Sequence, residues 1–170
     1  MKSICFIGTG LMGFPMAKNL LKSRFKVKVF NRSIEKAEPL KKFGAEISKS
    51  IKDVVNNCDA IITMLTDDIA VNEVIKNQDF LENIKTGATV IDMSSIKPKT
   101  ALIHAENLKS KKINYLDAPV SGGTIGAEKA SLAIMVGGEE KVFENCIEIL
   151  KKMGKPRLVG PISSGQVSKL

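Results

Sequence analysis

A chain of 170 residues is the size of one domain and can bury roughly 70% of its unfolded surface, which excludes a large multidomain machine. Hydrophobic residues make up 44% and charged residues 26%, which excludes a disordered tail, a collagen-like chain and a disulfide knot. Against 18 acidic residues stand 26 basic ones, a net charge of +8, but only Arg24, Arg32 and Arg157 are arginines and aromatics are 5%. With so few groups for stacking or bidentate readout, the charge reads as lysine on a solvated surface and no nucleic-acid partner is expected.

From the N-terminus, residues 3–17 carry no charge, yet Gly8, Gly10, Gly13 and Pro15 would break a signal helix and the run is too short to span a bilayer. No membrane partner is expected. Ile4-Cys5-Phe6-Ile7 reads instead as a buried strand, followed by a helix with Met12, Met16, Ala17, Leu20 and Leu21 on one face, ending near Ser23. Val27, Val29 and Phe30 form a second strand. Ser33 is placed to cap a helix carrying Ala37, Leu40 and Phe43 up to Gly44, with Pro39 as a kink.

A short helix over 51–55 precedes the apolar run 60–65, suited to a parallel strand covered on both faces. Asp67 and Asp68 open the next helix, and 89–92 form another strand. Pro98 starts a helix to about Lys109, and strands are expected at 113–116 and 132–136. Between Gly138 and Gly154, Val142, Cys146, Ile149, Leu150 and Met153 lie on one helical stripe, with acids at its start and lysines at its end. This alternation predicts an α/β fold of Rossmann type, a doubly wound, mostly parallel sheet with helices on both faces and ligands at the carboxyl ends of the strands.

Cys5, Cys58 and Cys146 are odd in number and widely spaced, so reduced buried thiols are expected rather than disulfides, in a cytoplasmic protein. The lone histidine, His104, sits in a helical pattern and reads as an ordinary helix residue; no metal site is expected. Gly8-Thr9-Gly10-Leu11-Met12-Gly13 fits the dinucleotide fingerprint between a strand and a helix. Gly8 permits the tight turn, Gly10 lets backbone approach a pyrophosphate, and Gly13 allows close helix packing. Where an NAD-binding domain usually carries an acid, this chain has Asn31-Arg32. Arg32 can pair with a 2′-phosphate and neutral Asn31 does not repel it, so NADP(H) is expected over NAD(H) by roughly ten- to a hundredfold.

Four blocks carry a closer resemblance: 6–20 with its glycine fingerprint, Thr63-Met64-Leu65, Asp117-Ala118-Pro119-Val120-Ser121-Gly122-Gly123, and Gly165-Gln166-Val167-Ser168-Lys169. With these the chain resembles the N-terminal domain of the β-hydroxyacid dehydrogenases, which include 3-hydroxyisobutyrate dehydrogenases and glyoxylate or succinic semialdehyde reductases, in the 6-phosphogluconate dehydrogenase superfamily. The resemblance implies Lys169 as the catalytic acid and base, and Ser121, Gly122 and Gly123 as the cradle of a small substrate's carboxylate. It implies Ser95 between nicotinamide and substrate, and Met64, Leu65 and Thr66 along the cofactor cleft. It also implies residues 1–164 as the NADP-binding domain, 165–170 as the start of an interdomain helix, and an all-helical second domain and homo-oligomer in full-length relatives. Two functions follow: an NADP-dependent oxidoreductase of small hydroxy acids or semialdehydes, here as its cofactor domain, or an NADP(H)-binding module that does not turn over. The terminal Ser168-Lys169-Leu170, which spells a peroxisomal address, is expected to be incidental to the lysine block.

Overall fold

The computed structural model describes residues 2–170. Its central strands are β1 (Ser3–Ile7), β2 (Lys26–Phe30), β3 (Glu46–Ile47), β4 (Ala60–Thr63), β5 (Thr89–Asp92) and β6 (Asn114–Asp117), all paired in parallel in the order β3-β2-β1-β4-β5-β6. Beyond β6 the sheet continues through β7 (Val120–Ser121), β8 (Leu132–Gly137) and β9 (Gly154–Gly160). β8 runs antiparallel to β6 and β7 and parallel to β9. The expected doubly wound, mostly parallel architecture is what the chain adopts.

The residues of β1 explain why the sheet is covered twice. Successive side chains on a strand point to opposite faces. Ile4 and Phe6 join one buried cluster with Met16, Leu20, Val29 and Leu40, while Cys5 and Ile7 join a second with Val54, Val71, Phe80 and Leu108. Each fully buried apolar side chain contributes about 1.5–3 kcal/mol. A strand apolar at every position therefore needs helices on both sides, supplied by α1 (Gly13–Lys22), α2 (Ile51–Val55), α3 (Asp68–Ile75), α4 (Gln78–Asn83), α5 (Pro98–Lys109), α6 (Gly123–Glu128), α7 (Glu140–Lys151) and α8 (Ser164–Lys169).

Several boundaries depart from the sequence reading. Ser33 makes no side-chain cap, and the helix expected after it is two 3₁₀ segments, Ile34–Lys36 and Glu38–Phe43. Pro39 does not kink a helix; it lies in the opening turn of the second segment, where a missing N–H costs nothing. The strand expected over 60–65 ends at Thr63, because the Leu65 amide turns to the Ser94 hydroxyl (2.9 Å) instead of continuing the ladder. The short elements β3, α4, β7 and α6 and the strand β9 were not foreseen. β9 contains Pro156, which an edge strand paired on one side tolerates.

Candidate active site

The strand order reverses between β1 and β4, and the glycine loop leaves the carboxyl end of β1 at that point. Gly8 has φ +102°, and a Cβ there would collide with the Met64 carbonyl oxygen, so the turn demands glycine. A Cβ at Gly10 would meet nothing within 4 Å. Its backbone faces open space, as the close approach of a ligand requires. The start of α1 has no acidic residue in its first turn and no side-chain cap; the Phe14 N–H donates to the Gly10 carbonyl (3.0 Å) and Pro15 has no N–H, so what is left for an anion is the positive dipole end and the amides ahead of Phe14.

Asn31 braces this loop. Its Oδ1 accepts the Thr9 N–H (2.9 Å) and its Nδ2 donates to the Ser33 carbonyl (2.8 Å), while the Gly8 N–H donates to the Phe30 carbonyl (3.0 Å). The sequence reading saw only its neutrality. Arg32 is 92% exposed, with one loose contact to Glu73 at 3.8 Å, a pairing worth little at such exposure. It lines a cleft of about 260 Å³ together with Gly8, Gly10, Asn31, Ser33, Met64, Leu65 and Thr66. Lys36 reaches the same cleft and also lines a groove that includes Thr9, Leu11 and Phe14. Lys36 was missed from the sequence, although it stands one 3₁₀ turn beyond Ser33 in the run that opens with Asn31-Arg32. Met12, the residue before α1, is partly buried against the core.

Beneath the cleft, Asp92 is fully buried at the end of β5. Its Oδ1 accepts the Thr63 hydroxyl (2.9 Å) and the Ser94 N–H (3.1 Å), and its Oδ2 accepts the Tyr115 hydroxyl (3.4 Å). Burial lifts its carboxyl from about 3.8 to about 6, against the pull of these donors. The carboxylate thereby holds β4, β5 and β6 together below residues 64–66 and Ser95. Neither Asp92 nor Thr63 was singled out from the sequence as a site residue.

The remaining site residues meet at the far end of the same strand ends. Lys169 on α8 donates to the Ser95 hydroxyl and to the Val120 carbonyl, both at 2.7 Å. An ammonium has three donors, so one is left for a ligand. Ser121, Gly122 and Gly123 follow Val120 and are exposed, with Gly122 at φ +140° and Gly123 at φ +62° where α6 begins. The structure thus groups Lys169, Ser95 and Ser121–Gly123 at one place and the glycine loop, Arg32 and Leu65 at another, along one edge of the sheet. His104 is a buried helix residue whose Nε2 lies 2.6 Å from Asn72 Oδ1; burial, then Lys76, lowers its pKa to about 4. The three cysteines are free and buried. Among the described residues there is no cluster of three or more potential metal ligands, and no helix is long and apolar enough to cross a membrane.

A glycine turn at the switch point, an open helix N-terminus and a cleft between β1 and β4 define a dinucleotide-binding domain. Residues 3–163 match the family described as the NAD binding domain of 6-phosphogluconate dehydrogenase, and the chain belongs to that family. It is 44% identical over 171 residues to the uncharacterized oxidoreductase YkwC of Bacillus subtilis, covering 99% of this chain and 59% of that protein. It is 38% identical to an NAD-dependent L-serine dehydrogenase of Pseudomonas aeruginosa, over 100% of this chain and 58% of that one. The solved structure of Mycobacterium tuberculosis 3-hydroxyisobutyrate dehydrogenase with L-serine superposes with a TM-score of 0.95 at 33% identity, over 99% of this chain and 58% of that chain. This chain therefore spans somewhat under three-fifths of the length of these relatives, and its cofactor class is a nicotinamide dinucleotide.

Proposed function

We propose that this domain serves an NADP-dependent oxidoreductase acting on a small β-hydroxy acid or the corresponding semialdehyde. The observation that carries the reading is the Lys169 ammonium, held on Ser95 and Val120 with one donor free, at the strand ends beside the dinucleotide cleft. The cleft fits the cofactor: Gly10 presents bare backbone to open space, and the start of α1 offers its positive dipole end and the amides ahead of Phe14 to a pyrophosphate. When bound, the nicotinamide supplies or accepts the hydride. Lys169 then gives a proton to the carbonyl oxygen in reduction and takes it back in oxidation, and its charge stabilises the developing alkoxide. The Ser121 hydroxyl and the exposed backbone of Gly122 and Gly123, at φ +140° and +62°, would receive the substrate carboxylate. Ser95, bridged to Lys169, would hydrogen-bond the reacting oxygen. The names of the relatives do not choose between NAD and NADP; Arg32 and Lys36 on the cleft wall favour the 2′-phosphate.

The test is NADPH- or NADH-linked reduction of glyoxylate and succinic semialdehyde, and NADP+- or NAD+-linked oxidation of 3-hydroxyisobutyrate and L-serine, by native protein and Lys169→Met. The reading expects turnover of one of them with the NADP(H) couple, with kcat reduced by roughly 10²–10⁴-fold in the variant and NADPH affinity retained. Turnover equal in the two proteins would refute the role given to Lys169.

A further inference from the structure

We propose that Gln166, anchored by Asp117, is the positioning residue that sets the distance between Lys169 and Ser95. The inference rests on the reading of Lys169 as the proton-transfer residue, and it concerns what holds that residue in place. Gln166 is 2% exposed and its carboxamide is used at both ends. Nε2 donates to the Ser94 carbonyl (2.8 Å) and Oε1 accepts the Ile96 N–H (3.1 Å). Those are the peptide groups on either side of Ser95, so the side chain brackets Ser95 as the backbone of a neighbouring strand would. A primary amide supplies the one donor and the one acceptor that these two peptide groups require.

The bracket is fixed from behind. The Gln166 N–H donates to Asp117 Oδ2 (2.9 Å) and the Ser163 N–H to Asp117 Oδ1 (2.7 Å), so a carboxylate from the end of β6 caps α8, which has no side-chain cap of its own. A Cβ at Gly165 would collide with the Met135 carbonyl oxygen and press on Asp117, which keeps the start of α8 against β6 and β8. Lys169 follows Gln166 by three residues, hence on the same side of the helix, and closes the ring by reaching Ser95 and Val120. Ser95 and Lys169 are both exposed, and a lysine has four flexible bonds; among the described residues, the Gln166 carboxamide makes the only buried hydrogen bonds between the loop carrying Ser95 and the helix carrying Lys169.

The experiment is NMR on the isotopically labelled 170-residue chain, comparing the native protein with Gln166→Met and Gln166→Glu. The native chain should show a nuclear Overhauser contact between Lys169 ε-protons and Ser95 β-protons and slow exchange of the Ile96 amide. In Gln166→Met the contact should vanish and Ile96 exchange quicken by roughly tenfold or more, while amides of β1 keep their protection. Gln166→Glu keeps the acceptor for Ile96 but turns an oxygen toward the Ser94 carbonyl, so Ile96 should stay protected while the Lys169–Ser95 contact weakens. An undiminished contact in Gln166→Met overturns the proposal; should that variant not fold, an undiminished contact in Gln166→Glu does. Because the readout is geometric, equal turnover in native protein and Lys169→Met would sink the catalytic reading alone, whereas a persistent contact would sink this one alone.

Discussion

Replacing Asp92 with asparagine removes a titration from the middle of the sheet. The carboxyl is fully buried, and its partners are the Thr63 and Tyr115 hydroxyls and the Ser94 amide, none of them a cation. Burial lifts its pKa from 3.8 to about 6, so the folded chain holds this proton where the unfolded chain has lost it. Stability from this group is fully present below about pH 4, falls across the window up to about pH 6, and is absent above. A shift of about two units corresponds to about 3 kcal/mol. Asparagine is neutral throughout and keeps one oxygen for Thr63 and Ser94, while the Tyr115 hydroxyl can turn to accept from its amide. The stability of Asp92→Asn relative to the native chain should therefore improve by about 3 kcal/mol between pH 4 and pH 7 and stay level above that. Urea denaturation followed by circular dichroism at half-unit pH steps measures this, and taking the difference cancels groups common to both chains, including Asp117, which burial also raises. A difference that does not change with pH would refute the assignment of a proton to Asp92 in the folded state.

Arg32→Ala should weaken NADPH binding by roughly ten- to a hundredfold and leave NADH within a few-fold, measured by fluorescence titration of each cofactor; an unchanged ratio would remove Arg32 as the selector. Lys36→Ala, on the same cleft wall, should shift the ratio in the same direction by less, since a point charge lacks the guanidinium's paired donors.

The parts of the fold that were legible in the sequence are those that local pattern dictates. Unbroken apolar runs such as 4–7 and 60–62 can be buried only between two layers, and the stripe of α7 has one core-facing side. Pro98 and the acids at 67–68 fixed two helix starts, and Asp67 does cap α3 by accepting the Ala70 N–H at 2.9 Å. What pattern could not show was too short to repeat its period twice, as with β3, β7 and α6, or masked by a proline, as with β9 and the 3₁₀ turns around Pro39.

The site divides the same way. The glycine fingerprint and Asn31-Arg32 announce themselves because each residue type answers a local demand of backbone or charge. Asp117 and Gln166 do not: they act through partners 46 to 72 residues distant, and only the fold brings an acid at the end of β6 under the start of α8. Gln166 even lay inside a block that marked the family, with nothing in its spacing to say that both ends of its amide would be used. Asp92 was hidden likewise, since its role depends on strands β4 and β6 flanking β5.

The most direct measurement is titration of the 170-residue chain and of Gly10→Ala with NADPH, alongside their thermal unfolding. Gly8 and Gly13 have no room for a methyl group, whereas one at Gly10 meets no protein atom within 4 Å. Gly10→Ala should therefore unfold within a degree or two of the native chain yet bind NADPH at least roughly tenfold more weakly, because the methyl stands where the pyrophosphate must approach. Failure of the native chain to bind NADPH, or equal binding by both, would contradict the dinucleotide cleft on which the account depends.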